Sequence, residues 1–174
     1  FYCCDVGLVK KWRDRFTELG YRTVSLVYRT PRPKGLPFYK SAWEDGQRAV
    51  RVVRSEAAKR GFDPDRICTV SMSAGSHLAT LLAASSQTTA YAPVDALDEI
   101  PCNTDLAIAF APAFVLSGGY GRPDARMGEG PDAQIDACFK FDSATPPMCL
   151  LHGGADVYSP IASTRIYREL RKRS

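Results

Sequence analysis

The feature that most constrains this chain is an alternation. Short apolar, β-rich runs are separated by segments with helical spacing. The order is helix, strand, helix, strand, helix, strand, irregular excursion, strand, helix. Leu8, Val9, Trp12, Phe16 and Leu19 recur at helical spacing, and Gly20 follows as a stop. "YRTVSLVY", 21–28, is a β-rich run. A Pro/Gly connection leads to a second helix over 42–60, with Ala49, Val50, Val53 and Ala57 on one face and Gly61 at its end. A strand at 67–71 meets a helix at 74–85, and residues 86–104 are polar and loop-like. "DLAIAFAP", 105–112, is a third strand. Residues 113–145 are rich in Gly, Pro and Asp and have no clear period, as in an excursion that covers a pocket. A strand at 147–151 and a helix at 160–172 close the pattern. Alternation of this kind predicts an α/β fold with a mostly parallel sheet and helices on both faces. Ligands in such sheets bind at the C-terminal ends of the strands.

The chain has 174 residues, enough for one domain with a core. It is expected to be a single domain, 1–174, with the excursion as a cap-like insertion. The net charge is +4. Much of the excess sits in Arg165, Arg168, Arg171, Lys172 and Arg173, which read as a solvated helix end complementing the helix dipole and not as a nucleic-acid surface. No apolar run approaches the roughly 18 residues of a membrane span. Of six cysteines, Cys68 and Cys149 lie inside apolar runs, where the thiol is a common small core group. Cys3 and Cys4 are adjacent, and there is no CxxC pair with metal spacing. Reduced thiols, a cytoplasmic reducing compartment and no metal or cofactor are expected.

One joint invites chemistry: "RICTVSMSAGSHLATLLAASS", 66–86. Three serines and a glycine stand where a strand meets a helix. A serine nucleophile needs its oxygen exposed at such a turn, beside unpaired N–H groups, with small residues two before and two after. Ser73 meets this, with Ser71 and Gly75 around it. Ser71 has Thr69 and Ser73 as its pair, and Ser76 has the bulky Leu78. A plain small-residue turn that packs a helix on a sheet fits the same letters.

"GFDPDRICTVSMSAGSHLATLLA" resembles the nucleophile region of the α/β-hydrolase superfamily. The similar branch is that of hormone-sensitive-lipase-like, acetyl-xylan and feruloyl esterases. "GYRTVSLVYR" resembles an earlier strand of that branch, and "PMCLLHGGADVYSP" its acid loop. The resemblance implies Ser73 as nucleophile, the Ala74 N–H as half of an oxyanion hole, and Asp156 as triad acid. It implies a small-molecule carboxylic ester as substrate, with a small or carbohydrate-linked acyl group suited to the polar, glycine-rich excursion. Phe114, Tyr120 and Phe139 are candidates to line the pocket.

The resemblance is incomplete. The family's base is a histidine after a further strand. The two histidines here match other family positions: His77 the helix of the nucleophile, His152 the strand before the acid. No H-G-G-G-like loop is present, and Phe1 or Tyr2 would border the place where it ends. The chain starts without Met and stops in a helical pattern, so both ends read as cut. A non-catalytic binding protein on the same scaffold, and a serine peptidase of the same fold, are the rival readings.

Overall fold

The computed structural model describes residues 6–31, 33–116, 134–156, 158 and 160–173. The chain divides into two compact units: Phe1–Pro64 with Ala90–Pro101, and Asp65–Thr89 with Cys102–Ser174.

The first unit is helical. It holds α1 (Val6–Glu18), α2 (Lys40–Ser55) and α3 (Ala57–Arg60). The single helix expected over 42–60 is broken at Glu56, whose N–H is shared between the carbonyls of Val52 and Val53. Ser55 Oγ also turns back to the Val52 carbonyl, and such local bonds compete with the helical ladder. Gly61 then ends α3 at φ 68°, a left-handed conformation that a side chain would strain. α2 buries Trp43, Val50 and, less expectedly, Gln47 and Arg51. Each polar group is answered by the 90–101 segment. Gln47 Oε1 accepts from the Ala90 N–H at 2.9 Å, and Arg51 donates to the Ile100 carbonyl and to the Tyr91 hydroxyl, both at 2.9 Å. Arg48 grips Asp95 with two bonds, at 2.8 and 2.6 Å. Within the stretch expected to be loop, Ala96–Glu99 forms a 3₁₀ turn capped by Asp95.

The strand expected at 21–28 does not form. Val24 and Val27 are 72% and 66% exposed, and among the described residues the segment joins no ladder. Composition gives a segment its extended preference, but a strand also needs a neighbour to bond.

The second unit holds a three-stranded sheet in the order β1–β2–β3. Its strands are β1 (Cys68–Met72), β2 (Leu106–Phe110) and β3 (Met148–Leu151), all parallel. The helices are α4 (Ala74–Ala84) and α5 (Ile161–Arg171). Each lies within a residue or two of its sequence reading. The parallel α/β architecture expected from the alternation is present.

Register sorts the sheet into two faces, because side chains alternate along a strand. Thr69 and Ser71 share one face with Ala107, Ala109, Met148 and Leu150. α4 packs there: Ser71 Oγ meets Ser76 Oγ of that helix, and Ala107 and Ala109 are fully buried. Alanine at both β2 positions lets the helix approach closely. α4 itself is apolar nearly all round, with Leu78, Leu81, Leu82, Ala83 and Ala84 buried. Each buried leucine contributes about 1.5–3 kcal/mol of transfer free energy. The other face carries Cys68, Val70, Met72, Leu106, Ile108, Phe110, Cys149 and Leu151, and several of these reach solvent. Cys68 and Cys149, expected in the core, are exposed for that reason.

Candidate active site

Ser73 stands between the last residue of β1 and the first of α4, at φ 54° and ψ −122°. That is a conformation L residues rarely adopt, and such strain gathers at functional turns. The turn is anchored by one carbonyl. Phe110 O, at the end of β2, accepts from the Ser73 N–H at 2.9 Å and from Ser76 Oγ at 2.8 Å. Ser71 Oγ donates to the Ile108 carbonyl at 3.0 Å. The neighbouring serines are therefore tied to β2. Ser73 is the half-buried serine at the bend itself.

The small-residue rule holds with a refinement. A Cβ placed on Gly75 would sit 3.9 Å from the Ser71 Cβ, an ordinary contact. The turn has room for a methyl at 75. Ala74 and Gly75 open α4, where N–H groups lack an intrahelical acceptor and carry the positive end of the helix dipole.

Asp156 follows β3 by five residues. Ser73 and Asp156 thus leave parallel strands at the same, C-terminal, edge of the sheet, with β2 between. Two strand spacings separate β1 from β3, about 10 Å. Asp156 is exposed and set in a local turn. Its N–H donates to the Gly153 carbonyl at 3.1 Å, and its Oδ1 accepts from the Tyr158 N–H at 3.0 Å.

Both histidines are committed elsewhere. His77 is fully buried, with Nδ1 3.1 Å from the Phe114 carbonyl and its ring edge-on to Phe139 at 4.9 Å. Burial pushes its pKa down to about 3, against the smaller opposing pull of the Phe114 carbonyl. His152 places Nδ1 2.8 Å from Ser163 Oγ on α5 and Nε2 3.0 Å from the Tyr158 carbonyl.

Of the expected pocket residues, Phe139 is a core residue against His77 and Phe141. On its other side it borders an open groove of about 360 Å³ near Lys140, Glu169 and Arg173. That groove lies by the start of β3, since Arg173 bonds Thr145, and so away from Ser73. Phe114 stays at the rim, edge-on to Tyr158 at 5.7 Å. Tyr120, Phe1, Tyr2, Cys3 and Cys4 lie outside the described residues, as does the middle of the 113–145 excursion.

Sequence reasoning missed the loop after β2. Ala111 and Phe114 both have positive φ, 44° and 60°. Neither is glycine or asparagine, so no residue type flags the strain. Pro112, Val115 and Leu116 are buried beside them. The one signal was "AP", which marks a turn without its strain. Among the described residues, no cluster of His, Cys, Asp and Glu is set to hold a metal, and no helix is long and apolar enough to cross a membrane.

A parallel sheet with a strained serine at a strand-to-helix bend defines the α/β-hydrolase class. Solved structures agree. A lipase/esterase from Lactobacillus plantarum superposes with a TM-score of 0.73 over 99% of this chain and 71% of its own, at 20% identity. An acetyl ester-xyloside bifunctional hydrolase from Caldicellulosiruptor lactoaceticus gives 0.64 over 84% of this chain and 55% of its own, at 26% identity. The BD-FAE family model matches residues 4–108, and the chain belongs to that family. Esterase LipQ of Mycobacterium tuberculosis is 28% identical over 173 residues, covering 88% of this chain and 39% of the relative. Endo-1,4-beta-xylanase B of Butyrivibrio fibrisolvens is 24% identical over 164 residues, covering 87% and 25%. The chain thus spans well under half of either relative.

Proposed function

We propose that this chain carries the nucleophile and the acid of a serine hydrolase that cleaves carboxylic esters. The observation that carries the reading is the Ser73 bend, strained at φ 54° and opening onto the N-terminus of α4, on the same sheet edge as Asp156. Ser73 Oγ attacks the ester carbonyl while a histidine base takes its proton. The carbonyl oxygen gains charge and is met by the Ala74 N–H. The alcohol leaves with the proton from the imidazolium. Water, activated by the same base, then releases the acid and frees Ser73. Asp156 holds the base in the right tautomer. In this reading the base lies outside residues 1–174, because His77 is buried in the core and His152 is engaged at both nitrogens.

The substrate class is a small or carbohydrate-linked acyl ester. Two similar proteins, a xylanase and an acetyl ester-xyloside hydrolase, bear names that point to decorated plant polysaccharide. The test uses the whole protein that contains this chain, with an aryl acetate and acetylated xylan as substrates. Ser73→Ala should lower kcat by about 10⁴-fold or more without unfolding the protein. Turnover that survives in Ser73→Ala overturns the nucleophile. Hydrolysis of the aryl ester alone overturns the carbohydrate assignment and leaves the nucleophile standing.

A further inference from the structure

We propose that His152 is a positioning residue for the Asp156 carboxylate, acting through the backbone of Tyr158. The inference deepens the proposed function and rests on Asp156 being the acid.

The residues form a short relay. Asp156 sits on an exposed loop, where a carboxylate would sample many orientations. Its Oδ1 is held by the Tyr158 N–H at 3.0 Å. This bond skips one residue, the pattern by which an aspartate fixes its own turn. It orients the carboxylate only as firmly as Tyr158 is itself held. Tyr158 is held in two ways: its carbonyl meets His152 Nε2 at 3.0 Å, and its ring packs edge-on against Phe114.

The partners also fix the tautomer. A carbonyl can only accept, so Nε2 of His152 carries the hydrogen. In the neutral ring Nδ1 is then the acceptor, and the Ser163 hydroxyl donates to it at 2.8 Å. Ser163 lies in the first turn of α5, and His152 directly follows β3. The imidazole thus ties the acid loop to two rigid elements. A carboxylate accepts several bonds, so the Oδ1 contact leaves capacity for a base imidazole. Small displacements at such a carboxylate matter, because misplacement by about 1 Å can cost on the order of 10²-fold in rate.

The experiment separates positioning from mere support of the fold. In the whole protein, His152→Ala should lower kcat about 10-fold to 100-fold with KM nearly unchanged. The acid limb of kcat/KM should move to lower pH, because a misplaced Asp156 stabilises the imidazolium less. His152→Gln places an amide N–H near the Nε2 position and should restore most of the rate. In an Asp156→Asn background, His152→Ala should add almost nothing, since both act through one carboxylate. Should His152→Ala fail to fold, Ser163→Ala releases the ring at Nδ1 and should give a smaller loss of the same kind. Equal losses in the Ala and Gln variants, an unmoved pH profile, or a full additional loss in the Asp156→Asn background would overturn the inference. If Asp156→Asn itself keeps the wild-type rate, the acid assignment falls and the inference with it. If Asp156→Asn is inactive and His152→Ala is not slowed, only the inference falls.

Discussion

Consider Ser73 replaced by glycine and, separately, by alanine. Both remove the hydroxyl, so both should be catalytically dead in the whole protein. They differ only in whether a Cβ remains at φ 54° and ψ −122°. A side chain held in such a region stores about 1–3 kcal/mol of strain. Glycine releases it but loses more backbone entropy on folding, about 0.5–1 kcal/mol. The balance favours Ser73→Gly over Ser73→Ala by up to about 2.5 kcal/mol. For a chain of this size that is a rise in Tm of up to about 10 °C. Urea denaturation and a thermal melt of the two variants give the difference directly, and the shared loss of the hydroxyl cancels. An alanine variant more stable than the glycine variant by about 0.5–1 kcal/mol would refute the reasoning: the bend would then hold no strain, and the geometric argument for the nucleophile would lose its footing.

Other outcomes follow from neighbouring geometry. Gly75→Ala should stabilise by about 0.5–1 kcal/mol, because its methyl makes an ordinary contact 3.9 Å from Ser71 and alanine is the better helix former; Gly75→Leu should destabilise, and melts of both decide it. His77 has a folded pKa near 3, below its unfolded value of about 6.5. The unfolded chain therefore takes up the proton first, so stability is complete above about pH 6.5 and declines toward pH 3 by about 1.4 kcal/mol per unit. His77→Gln should flatten that slope in urea titrations between pH 7 and 4, whatever it does to the absolute stability. In the helical unit, Arg48 holds the Asp95 carboxyl below the usual range, and the Tyr91 hydroxyl, the Val94 N–H and Arg48 do the same for Asp98. Both depressions give stability that is present above about pH 4 and lost as pH falls further. Asp98→Asn should weaken the hold of 90–101 on α2, read as faster proteolysis in that segment at pH 7, and should blunt its acid sensitivity.

The strands and helices that surround Ser73 were legible because each is written in local terms. An apolar run such as Leu106–Phe110 and a leucine-rich helix such as α4 declare themselves within ten residues. The bend was legible because small residues, Ser71 and Gly75, stand two before and two after Ser73, the pattern such a turn requires. Segment 21–28 misled because its letters report preference for extended backbone and not the presence of a neighbour. Phe139 misled for a related reason: an aromatic in a polar, glycine-rich stretch looks exposed, yet it is buried against His77 from a distant helix. The clasp of Gln47, Arg48 and Arg51 on 90–101 was invisible, since its partners lie about forty or more residues away and their letters resemble any solvated helix face. The relay from Ser163 through His152 and Tyr158 to Asp156 was half visible. The histidine stood out, but its partners depend on how α5 returns to β3.

The two thiols on the more open face of the sheet impose a rule on oxidation. Cys68 lies on β1 and Cys149 on β3, with β2 between them. Two strand spacings hold their backbones about 10 Å apart, beyond the reach of a disulfide. An oxidant therefore cannot join them within one sheet without tearing out the central strand. Between these two sulfurs it can link one molecule to another, or cap each singly. Partial burial raises the Cys68 thiol pKa and leaves little thiolate at neutral pH. Covalent dimers joined through Cys68 or Cys149 would then report molecules meeting face to face, and a maleimide reaching both sulfurs in the monomer would report the same face lying open.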